Sequence, residues 1–435
     1  MPSAETRPAG FLAPYRVLDL TDHRGLLAGR MLAQLGADVI QVEPPGGSRA
    51  RAVGPFDDDA PPEHRSLYWA AFAAGKRGIT CNLDQPRGRA LLLQLVASAD
   101  FLIESEDPGT MAARGLDHAA LRAANPALIH VSITPFGSAG PKADWADSDL
   151  VLWAAGGPLL PNRDADGDRP PLRVSVPQAY LHASGDAAGG ALVAHFARVA
   201  SGRGQHVDIS VQQSVAQATL SSILSAAVGH PDYSISLEAR GKKPRKPLDL
   251  SGSGARTRRS KWPVRDGLIE MHLAMGPAAG RFTNNLFAWM LEEGACDAQT
   301  AAWDWVTMPA RIEADEITED DLERVRAMVA AFLAPRSKHD LVEIAIRRKV
   351  LLAPVATTED LANSAHHAAR GFFHQVDDAA GRRLRLPGAF AAGVPHGFVD
   401  PTPAPSIGQH NDAVYRALAG LGDDEIAALR HAGVL

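Results

Sequence analysis

The sequence predicts an α/β protein that contains a parallel sheet and more than one domain. In the first half of the chain, short aliphatic and β-branched segments alternate with segments of helical periodicity, which is typical of βαβ units. The 435 residues are enough for two or three domains of ordinary size. A content of 46% apolar and 22% charged residues is that of an ordinary globular protein.

The composition also excludes several classes of protein. A net charge of −6 disfavours a general nucleic-acid binder, and no apolar run is long enough for a membrane-spanning helix. The two cysteines, Cys81 and Cys296, are too few for a disulfide scaffold or a thiolate metal site. We therefore expect a cytoplasmic enzyme with no metal and with neither a nucleic acid nor a membrane as partner.

The elements of the first half follow in order. Strands are predicted at residues 16–20, 38–43, 101–104, 128–133 and 206–211, and helices at 25–35, 88–98, 178–201 and from the fifth strand to about 228. In a parallel sheet of this kind, ligands bind beyond the carboxyl ends of the strands. The residues that follow each strand are therefore the first candidates for a binding site.

The composition changes after residue 228. Between 240 and 265, ten of 26 residues are Lys or Arg and the apolar rhythm is lost, which indicates a linker over 229–262. A second module over 263–350 begins with a strand at 267–273 and continues with helices at 281–293, 320–333 and 341–348. In the remaining segment, 351–435, a short helix opens at 357–360, an extended Pro- and Gly-rich stretch covers 387–411, and a terminal helix covers 423–431.

The common nucleotide and metal motifs are missing from the sequence. The first βα turn lacks the glycine spacing of a dinucleotide fingerprint, so Glu43, where an NAD enzyme keeps its ribose-binding acid, is only a weak sign of NAD. His23 and Arg24 in that turn suit an anionic ligand, with a solvated loop as the alternative. There is no Walker loop and no Gly-x-Ser-x-Gly turn, and the adjacent His366 and His367 lack metal-ligand spacing.

One carboxylate stands out among small residues. Asp186 is surrounded by the small residues Gly185, Ala187, Ala188, Gly189 and Gly190, at what reads as the start of a helix. One interpretation is that Asp186, or Ser184 before it, caps that helix. The other is that the small neighbours let a bulky substrate approach a carboxylate nucleophile.

Taken together, ordered segments along nearly the whole chain resemble the class III CoA-transferases of the formyl-CoA transferase and carnitine CoA-transferase type. The resemblance lies in residues 16–20, 35–43, 66–79, 99–109, 125–141, 184–186, 202–208 and 404–410. The segments 261–267, 289–294 and 369–373 are similar to the branch that acts on benzylsuccinate and related acids.

The resemblance implies a fold and an assembly. It implies a Rossmann-like large domain formed by residues 1–228 and completed by the returning segment 351–435, and a smaller α+β domain. It also implies two interlocked subunits, either a homodimer or a heteromer with a homologous subunit. Ser251 to Gly254 stands near the place of the glycine loop that closes over the intermediates in relatives.

The resemblance further implies a reaction. Asp186 matches an aspartate that attacks an acyl-CoA donor, such as succinyl-CoA, to give a mixed anhydride and then an aspartyl-CoA thioester, from which CoA passes to a free carboxylic acid. CoA and acyl-CoA are substrates, and no cofactor is permanently bound. The positions that match CoA-binding residues are His23, Arg24, Glu43, Lys76, Arg77, Cys81, Asn82, Glu104, Ser105, Arg114, Thr134 and Phe136.

Three questions stay open at this point. Acyl-CoA racemases share the fold and the aspartate, but Ser148 stands where they have a proton-carrying histidine, and serine is no base near neutral pH without an activator. A CoA-binding, non-catalytic subunit is the other alternative, which the intact Ser184-Gly185-Asp186 disfavours. The basic stretch at 240–265 is expected either to help hold CoA phosphates or to be a solvated linker.

Overall fold

The structure, a computed structural model, describes residues 10–159, 170–228, 260–391 and 397–435. These residues form two compact units. The larger unit contains the described residues up to 228 and from 366 onward, and the smaller unit contains residues 260–365. The basic stretch up to residue 259, including the glycine-containing segment 251–254, lies outside the described residues.

A six-stranded parallel sheet is the centre of the larger unit. Its strands in chain order are β1 (Arg16–Asp19), β2 (Asp38–Glu43), β3 (Arg77–Thr80), β4 (Phe101–Glu104), β5 (Ile129–Thr134) and β6 (His206–Ser210). They lie in the order β3-β2-β1-β4-β5-β6, and every neighbouring pair is parallel. This is the Rossmann order, in which the chain reverses direction across the sheet between β1 and β4. The predicted α/β class and parallel sheet are confirmed.

Helices follow or precede each strand of this sheet. They are α1 (Leu26–Gln34), α2 (Leu67–Phe72), α3 (Pro86–Val96), α4 (Thr110–Ala113), α5 (His118–Ala124), α6 (Asp149–Gly156), α7 (Ala179–Ser201), α8 (Val211–Ala216) and α9 (Leu220–Ala227), with 3-10 turns at Arg49–Ala52, Pro62–His64 and Gln217–Thr219. Among the described residues, no helix is long and apolar enough to cross a membrane.

The smaller unit is built around a three-stranded antiparallel sheet. Its elements are β7 (Lys261–Val264), β8 (Gly267–Met271), α10 (Gly280–Glu292), α11 (Ala298–Ala301), α12 (Met308–Glu313), α13 (Glu319–Leu333), α14 (Lys338–Arg348), β9 (Leu352–Val355) and α15 (Thr358–Ala362). Because β9 pairs with β8, this unit extends beyond the predicted boundary at 350, and β7 begins inside the predicted linker.

The C-terminal segment from residue 366 belongs to the larger unit. Its elements are α16 (Ala365–Ala369), β10 (Phe373–Asp377), β11 (Arg383–Pro387), α17 (Asn411–Ala419) and α18 (Asp423–His431). The strands β10 and β11 form an antiparallel hairpin that comes just before the stretch 387–411, which the sequence predicts as extended.

Two apolar layers enclose the parallel sheet. On one face, side chains such as Val17 and Val131 pack against α1 and the alanines of α7. On the other face, Leu18 and Leu102 pack against α3 and α5, and also against Tyr415 of α17. Strands β1 to β5 are almost wholly buried on both faces, as expected of a parallel sheet, whereas the edge strand β6 is partly exposed. Functional groups are therefore left to the ends of the buried strands.

Candidate active site

Most of the predicted site residues lie at one edge of the sheet. The carboxyl ends of β1 to β5, or the loops that follow them, carry His23, Arg24, Glu43, Cys81, Asn82, Glu104, Ser105, Arg114, Thr134 and Phe136. The sheet changes direction at β1 and β4, so the loops after these two strands flank the crevice in which Rossmann folds bind ligands.

The loops after β1 and β4 are joined by a charged cluster. The Asp22 carboxylate accepts hydrogen bonds from the Arg24 backbone N–H and guanidinium, at 2.9 and 3.1 Å, and from the Ser105 hydroxyl at 3.2 Å. A second guanidinium nitrogen of Arg24 lies 2.6 Å from Asp107. The His23 ring stays 44% exposed beside Asp22. One cation and one ionisable ring therefore face this crevice, and two carboxylates hold the cation in place.

Electrostatics keep this cluster ionised. Burial opposes charge on both Asp22 and Arg24, but their attraction outweighs it, so the pKa of Asp22 is lowered and that of Arg24 is raised. Arg24 also interacts electrostatically with Tyr180 in the first turn of α7. Burial first, and then Asp22, raises the pKa of Tyr68 to about 12, and its hydroxyl donates to the backbone oxygen of His23.

Glu43 and Lys76 are buried and have internal partners. Both Glu43 oxygens accept from the Arg51 guanidinium, at 2.7 and 2.8 Å. The Lys76 ammonium donates its three hydrogen bonds to Asp19, Gln41 and the backbone oxygen of Leu26, at 2.7, 2.9 and 2.9 Å. These contacts give both residues a structural part, and direct contact with CoA would require the pairs to open.

Space for the Lys76–Asp19 pair depends on a glycine in α1. A Cβ at Gly29 would lie 1.9 Å from the Asp19 carboxylate and 3.1 Å from the Lys76 nitrogen. Both side chains of the pair are fully buried. The pair therefore connects β1, α1 and the start of β3 from the inside.

Arg77 is not brought together with the other candidates. It begins β3, and its guanidinium donates to Asp38, at the first residue of β2, at 2.8 and 2.6 Å. Arg16, the first residue of β1, also pairs with Asp38 at 3.1 Å. The side chain of Arg77 thus points to the amino ends of the strands, away from the crevice. The structure therefore does not bring Arg77 together with the other candidates, and its contact with CoA stays a prediction.

The residues after β3 form hydrogen bonds with the C-terminal residues of the chain. The Asn82 amide donates to the backbone oxygen of Gly433 at 3.1 Å, and its backbone N–H donates to Val434 at 2.8 Å. The Cys81 thiol is buried against the backbone oxygen of Gly88 at 3.3 Å, and burial raises its pKa to about 11. This thiol is therefore neutral near pH 7.

The residues after β4 and β5 differ in how many partners they have. Glu104 accepts from the backbone N–H of Glu106 at 2.7 Å, and Arg114 pairs with Glu106 and Asp84 at 3.0 and 2.9 Å. The Thr134 hydroxyl, by contrast, is buried and has no hydrogen-bond partner among the described residues.

Phe136 lies two residues beyond Thr134 and is almost fully buried, at 8% exposure. Its ring packs edge-on against Trp145, with 5.9 Å between the ring centroids. A buried hydroxyl with no partner among the described residues, followed two residues later by a buried aromatic ring, suits a channel for an uncharged, partly polar chain.

Asp186 lies in the interior of α7 and not at its start. The helix begins at Ala179 after the cap residue Gln178, which makes Asp186 its eighth residue. Both parts of the capping interpretation are therefore wrong, since Ser184 donates to the backbone oxygen of Tyr180 inside the helix at 2.7 Å. The helix dipole acts within the first turn, so it does not stabilise the Asp186 carboxylate.

The surroundings of Asp186 are open on one side. A Cβ at Gly185 or Gly189 would meet no atom within 4 Å, whereas Ala187 and Ala188 are buried in the core. Asp186 itself is half-buried, and one of its oxygens, Oδ2, accepts a hydrogen bond from the Gln217 amide at 2.9 Å. Among the described residues, no Lys, Arg or His side chain forms an ion pair with it. The carboxylate is therefore accessible and not neutralised by a cation there.

The polar residues around the start of α6 form hydrogen bonds that support the fold. Ser148 caps α6 by accepting from the Val151 N–H, and Asp149 accepts from the N–H groups of Gln178 and Ala179 at the start of α7. Asp147 accepts from the Tyr180 hydroxyl at 2.6 Å. The anion at the amino end of α7 is therefore Asp149.

Sequence reasoning missed two polar neighbours of Asp186. Gln217 is 31 residues further along the chain, and no sequence pattern connects the two. His182 lies four residues before Asp186, a spacing that places both on one face of a helix, and it is exposed. Within the described part of the chain, no group of three or more His, Cys, Asp or Glu side chains is arranged to hold a metal ion.

Comparisons with known proteins match nearly the whole length of the chain. Residues 12–411 match the model of the family described as CoA-transferase family III. The chain is 32% identical over 404 residues to the succinyl-CoA:(R)-benzylsuccinate CoA-transferase subunit BbsE of Thauera aromatica, which covers 91% of each chain. It is 30% identical over 430 residues to a succinyl-CoA–D-citramalate CoA-transferase of Chloroflexus aurantiacus, which covers 98% of each.

A solved structure shows the same fold. The CAIB/BAIF family protein from Brucella suis superimposes with a TM-score of 0.73 over 94% of this chain and 100% of that chain, at 24% identity.

Proposed function

The chain belongs to CoA-transferase family III, and we propose that it moves CoA from a donor such as succinyl-CoA to a free carboxylic acid through covalent intermediates on Asp186. The resemblance inferred from the sequence is confirmed, as is the assignment as a CoA-transferase. The single observation that carries the proposed mechanism is the open Asp186 carboxylate, flanked by Gly185 and Gly189, which leave space for an incoming thioester.

The proposed reaction consists of four steps, and each bond that forms is matched by one that breaks. One Asp186 oxygen attacks the thioester carbonyl of the donor and expels CoA thiolate, which gives a mixed anhydride. The thiolate attacks Cγ of Asp186, and the donor acid leaves as a carboxylate. The acceptor carboxylate then attacks the aspartyl-CoA thioester, and the released thiolate attacks the acyl carbon of the second anhydride. The acceptor leaves as its CoA thioester, and Asp186 is regenerated.

The crevice between β1 and β4 supplies charges for CoA. Arg24 is held by Asp22 and Asp107 at the place where a Rossmann sheet binds anions, and the exposed His23 ring lies beside it. Thr134 offers the pantetheine chain a hydroxyl that has no partner among the described residues, and Phe136 offers an aromatic wall. We assign CoA contacts to these four residues first among the predicted positions.

The donor proposed here is succinyl-CoA. The named relatives from Thauera and Chloroflexus both carry succinyl-CoA in their names, and they act on different second acids. The acceptor is proposed to be a dicarboxylic or aromatic acid of the benzylsuccinate type, in line with segments 261–267, 289–294 and 369–373.

An exposed apolar stripe on α7 supports a subunit partner. Val193, Phe196 and Val199 are 72%, 82% and 71% exposed in the single chain and follow Gly189 along the same helix. A stripe of this kind, continuing from the nucleophile, suits an interface with a second copy or a homologous subunit. The relative from Thauera is itself named as a subunit. Light scattering should give a dimer for the wild type and a smaller particle for Phe196→Glu.

The racemase alternative has one observation in its favour, the exposed His182 on the same helical face as Asp186. Ser148, in the histidine position of racemases, is used as a helix cap. A chiral 2-methylacyl-CoA incubated in D₂O separates the two reactions. A transferase gives no deuterium at the α-carbon, whereas exchange that His182→Ala abolishes would establish proton transfer.

The proposed mechanism is tested with the donor alone. Wild-type enzyme incubated with succinyl-CoA and quenched with hydroxylamine should carry a modification on the peptide that contains Asp186. The Asp186→Asn protein should carry none, although it still binds CoA. An adduct on a different residue, or none on the wild type while it turns over, would contradict the mechanism.

A further inference from the structure

Gln217 is the described side chain that hydrogen-bonds the nucleophile, and the reaction proposed above gives this contact a chemical role. Its amide lies 2.9 Å from Oδ2 of Asp186. A carboxylate is only an acceptor, so the amide must present its NH₂ group to that oxygen. One carboxylate oxygen is therefore held by a donor, and the other, Oδ1, is left for attack.

The backbone that carries Gln217 is firmly seated. Gln217 directly follows α8, whose Val211 and Val215 are fully buried in the core beneath the sheet. Two residues later, the Thr219 hydroxyl bonds the backbone oxygen of Ala216 at 3.0 Å. On the other side, the Gln212 amide donates to the backbone oxygen of Ala155, at the end of α6, at 2.8 Å.

The side chain of Gln217, unlike its supporting residues, is exposed. Its amide therefore faces the space from which a substrate reaches Asp186. A fixed donor at a nucleophile is most effective where negative charge develops in the transition state, because it then needs no reorganisation.

The position of that charge follows from the bonding. Once Oδ1 has attacked the donor, Oδ2 is the carbonyl oxygen of the aspartyl group. When CoA thiolate adds to Cγ, the π electron pair of the Cγ–Oδ2 bond moves onto Oδ2, and collapse breaks the Cγ–Oδ1 bond to release the donor carboxylate. The attack of the acceptor on the aspartyl-CoA thioester places charge on Oδ2 in the same way. Attack of Asp186 on the donor puts the charge on the donor's own oxygen.

We propose that the Gln217 amide stabilises the oxyanion that forms on Oδ2 of Asp186 each time a nucleophile attacks Cγ. This inference rests on the proposed covalent mechanism and adds a residue to it. Gln217 then acts in the two steps at Cγ and contributes little to donor binding or to the first attack.

The matched variants are Gln217→Met, which keeps the length of the side chain and removes the donor, and Gln213→Met. Gln213 lies one turn earlier and is also exposed, so its variant controls for a methionine on the same surface. Thermal unfolding of both variants should match that of the wild type.

The experiment is a rapid-quench single turnover with succinyl-CoA and no acceptor, followed by mass spectrometry of the Asp186 peptide. We expect Gln217→Met to form the aspartyl-CoA thioester about 10²-fold more slowly than wild type, with an unchanged Kd for the donor. The reaction of the isolated thioester with hydroxylamine, which also attacks Cγ, should slow similarly. Gln213→Met should behave as wild type.

Two different failures can be told apart. If wild type forms no adduct on Asp186, the covalent mechanism itself is wrong. If wild type forms the thioester and Gln217→Met forms it at the same rate, only the role of Gln217 is overturned. A loss of donor affinity equal to the loss of rate would show that Gln217 is merely structural and would also overturn it.

Discussion

The carboxylates buried at the ends of β1 and β2 and the carboxylate in the middle of α7 have opposite kinds of hydrogen-bond partner. At the ends of β1 and β2, Asp19 and Glu43 are fully buried and each faces a cation, Lys76 and Arg51 respectively. On α7, Asp186 is half-buried beside open space and accepts from one neutral amide. The described residues thus include carboxylates with charged partners and one carboxylate, Asp186, whose donor among them is a neutral amide.

The difference follows from the energetics of charge. A buried carboxylate stays ionised only when a cation and hydrogen bonds replace its hydrating water. Separating such a pair costs free energy, because it leaves a buried charge without its partner. A nucleophile needs an unshared electron pair and room for the electrophile. A cationic side chain that pairs with both carboxylate oxygens would remove both. Charged residues near a sheet edge are therefore not equivalent, and their partners decide which of them bind, react or support the fold.

The strongest test of this contrast removes the reactive carboxylate. Asp186→Asn keeps the shape and the open space but is a far poorer nucleophile, so kcat should fall by about 10³-fold or more while the KM for acyl-CoA changes little. Steady-state kinetics with succinyl-CoA and an acceptor acid measure both constants. Substantial turnover by Asp186→Ala would remove the proposed nucleophile.

The next test breaks a carboxylate pair of the structural kind. Lys76→Met leaves Asp19 buried without its cation and should cost about 3–5 kcal/mol of stability, measured by hydrogen exchange of the β1–β3 amides. The double variant Asp19→Asn/Lys76→Met removes both charges and should recover most of that loss. A variant of normal stability with a raised KM for acyl-CoA would instead make Lys76 a CoA ligand.

These contrasts also show what the sequence could predict. Five of the six strands of the parallel sheet follow from aliphatic segments, whereas β3, with the sequence RGIT, contains a single aliphatic side chain, that of Ile79. The position of site residues beyond the strands follows from topology alone. The interpretation that Asp186 stands at a helix start is wrong: Gly185 and Gly189 lower helical propensity, but the alanines of α7 pack on the sheet and the helix runs through Asp186.

Partners, by contrast, are set by tertiary structure. Asp19 and Lys76 are 57 residues apart, and Asp186 and Gln217 are 31 apart, so nothing in the local pattern pairs them. The sequence gives no means to distinguish the buried Lys76 from the neighbouring Arg77, although their side chains reach different parts of the sheet. The amino-acid type shows what chemistry a side chain is capable of, but its role in the protein is shown only by the groups that it contacts.

A third test compares two arginines. Arg24→Met removes the cation at the crevice between β1 and β4, and the KM for acyl-CoA should rise about 10-fold because a hydrogen-bonded charge is lost. Arg77→Met makes the same chemical change in a residue that pairs with Asp38 at the amino ends of the strands, and its KM should stay near that of wild type. Equal effects in both variants would show that the placement of Arg24 in the crevice has no bearing on CoA.

The smallest expected effect concerns the two thiols. Burial raises the pKa of Cys81 to about 11, so at pH 8 this thiol is neutral, and it is also enclosed against Gly88. Burial raises the pKa of Cys296 as well, but that side chain is half-buried and therefore more accessible.

Because thiolates are the species that alkylate, iodoacetamide at pH 8 should modify Cys296 slowly and leave Cys81 unmodified, with or without CoA. Peptide mass spectrometry before and after denaturation gives both yields. Labelling of native Cys81 that CoA suppresses would return this residue to the binding site and place the end of β3 among the accessible positions.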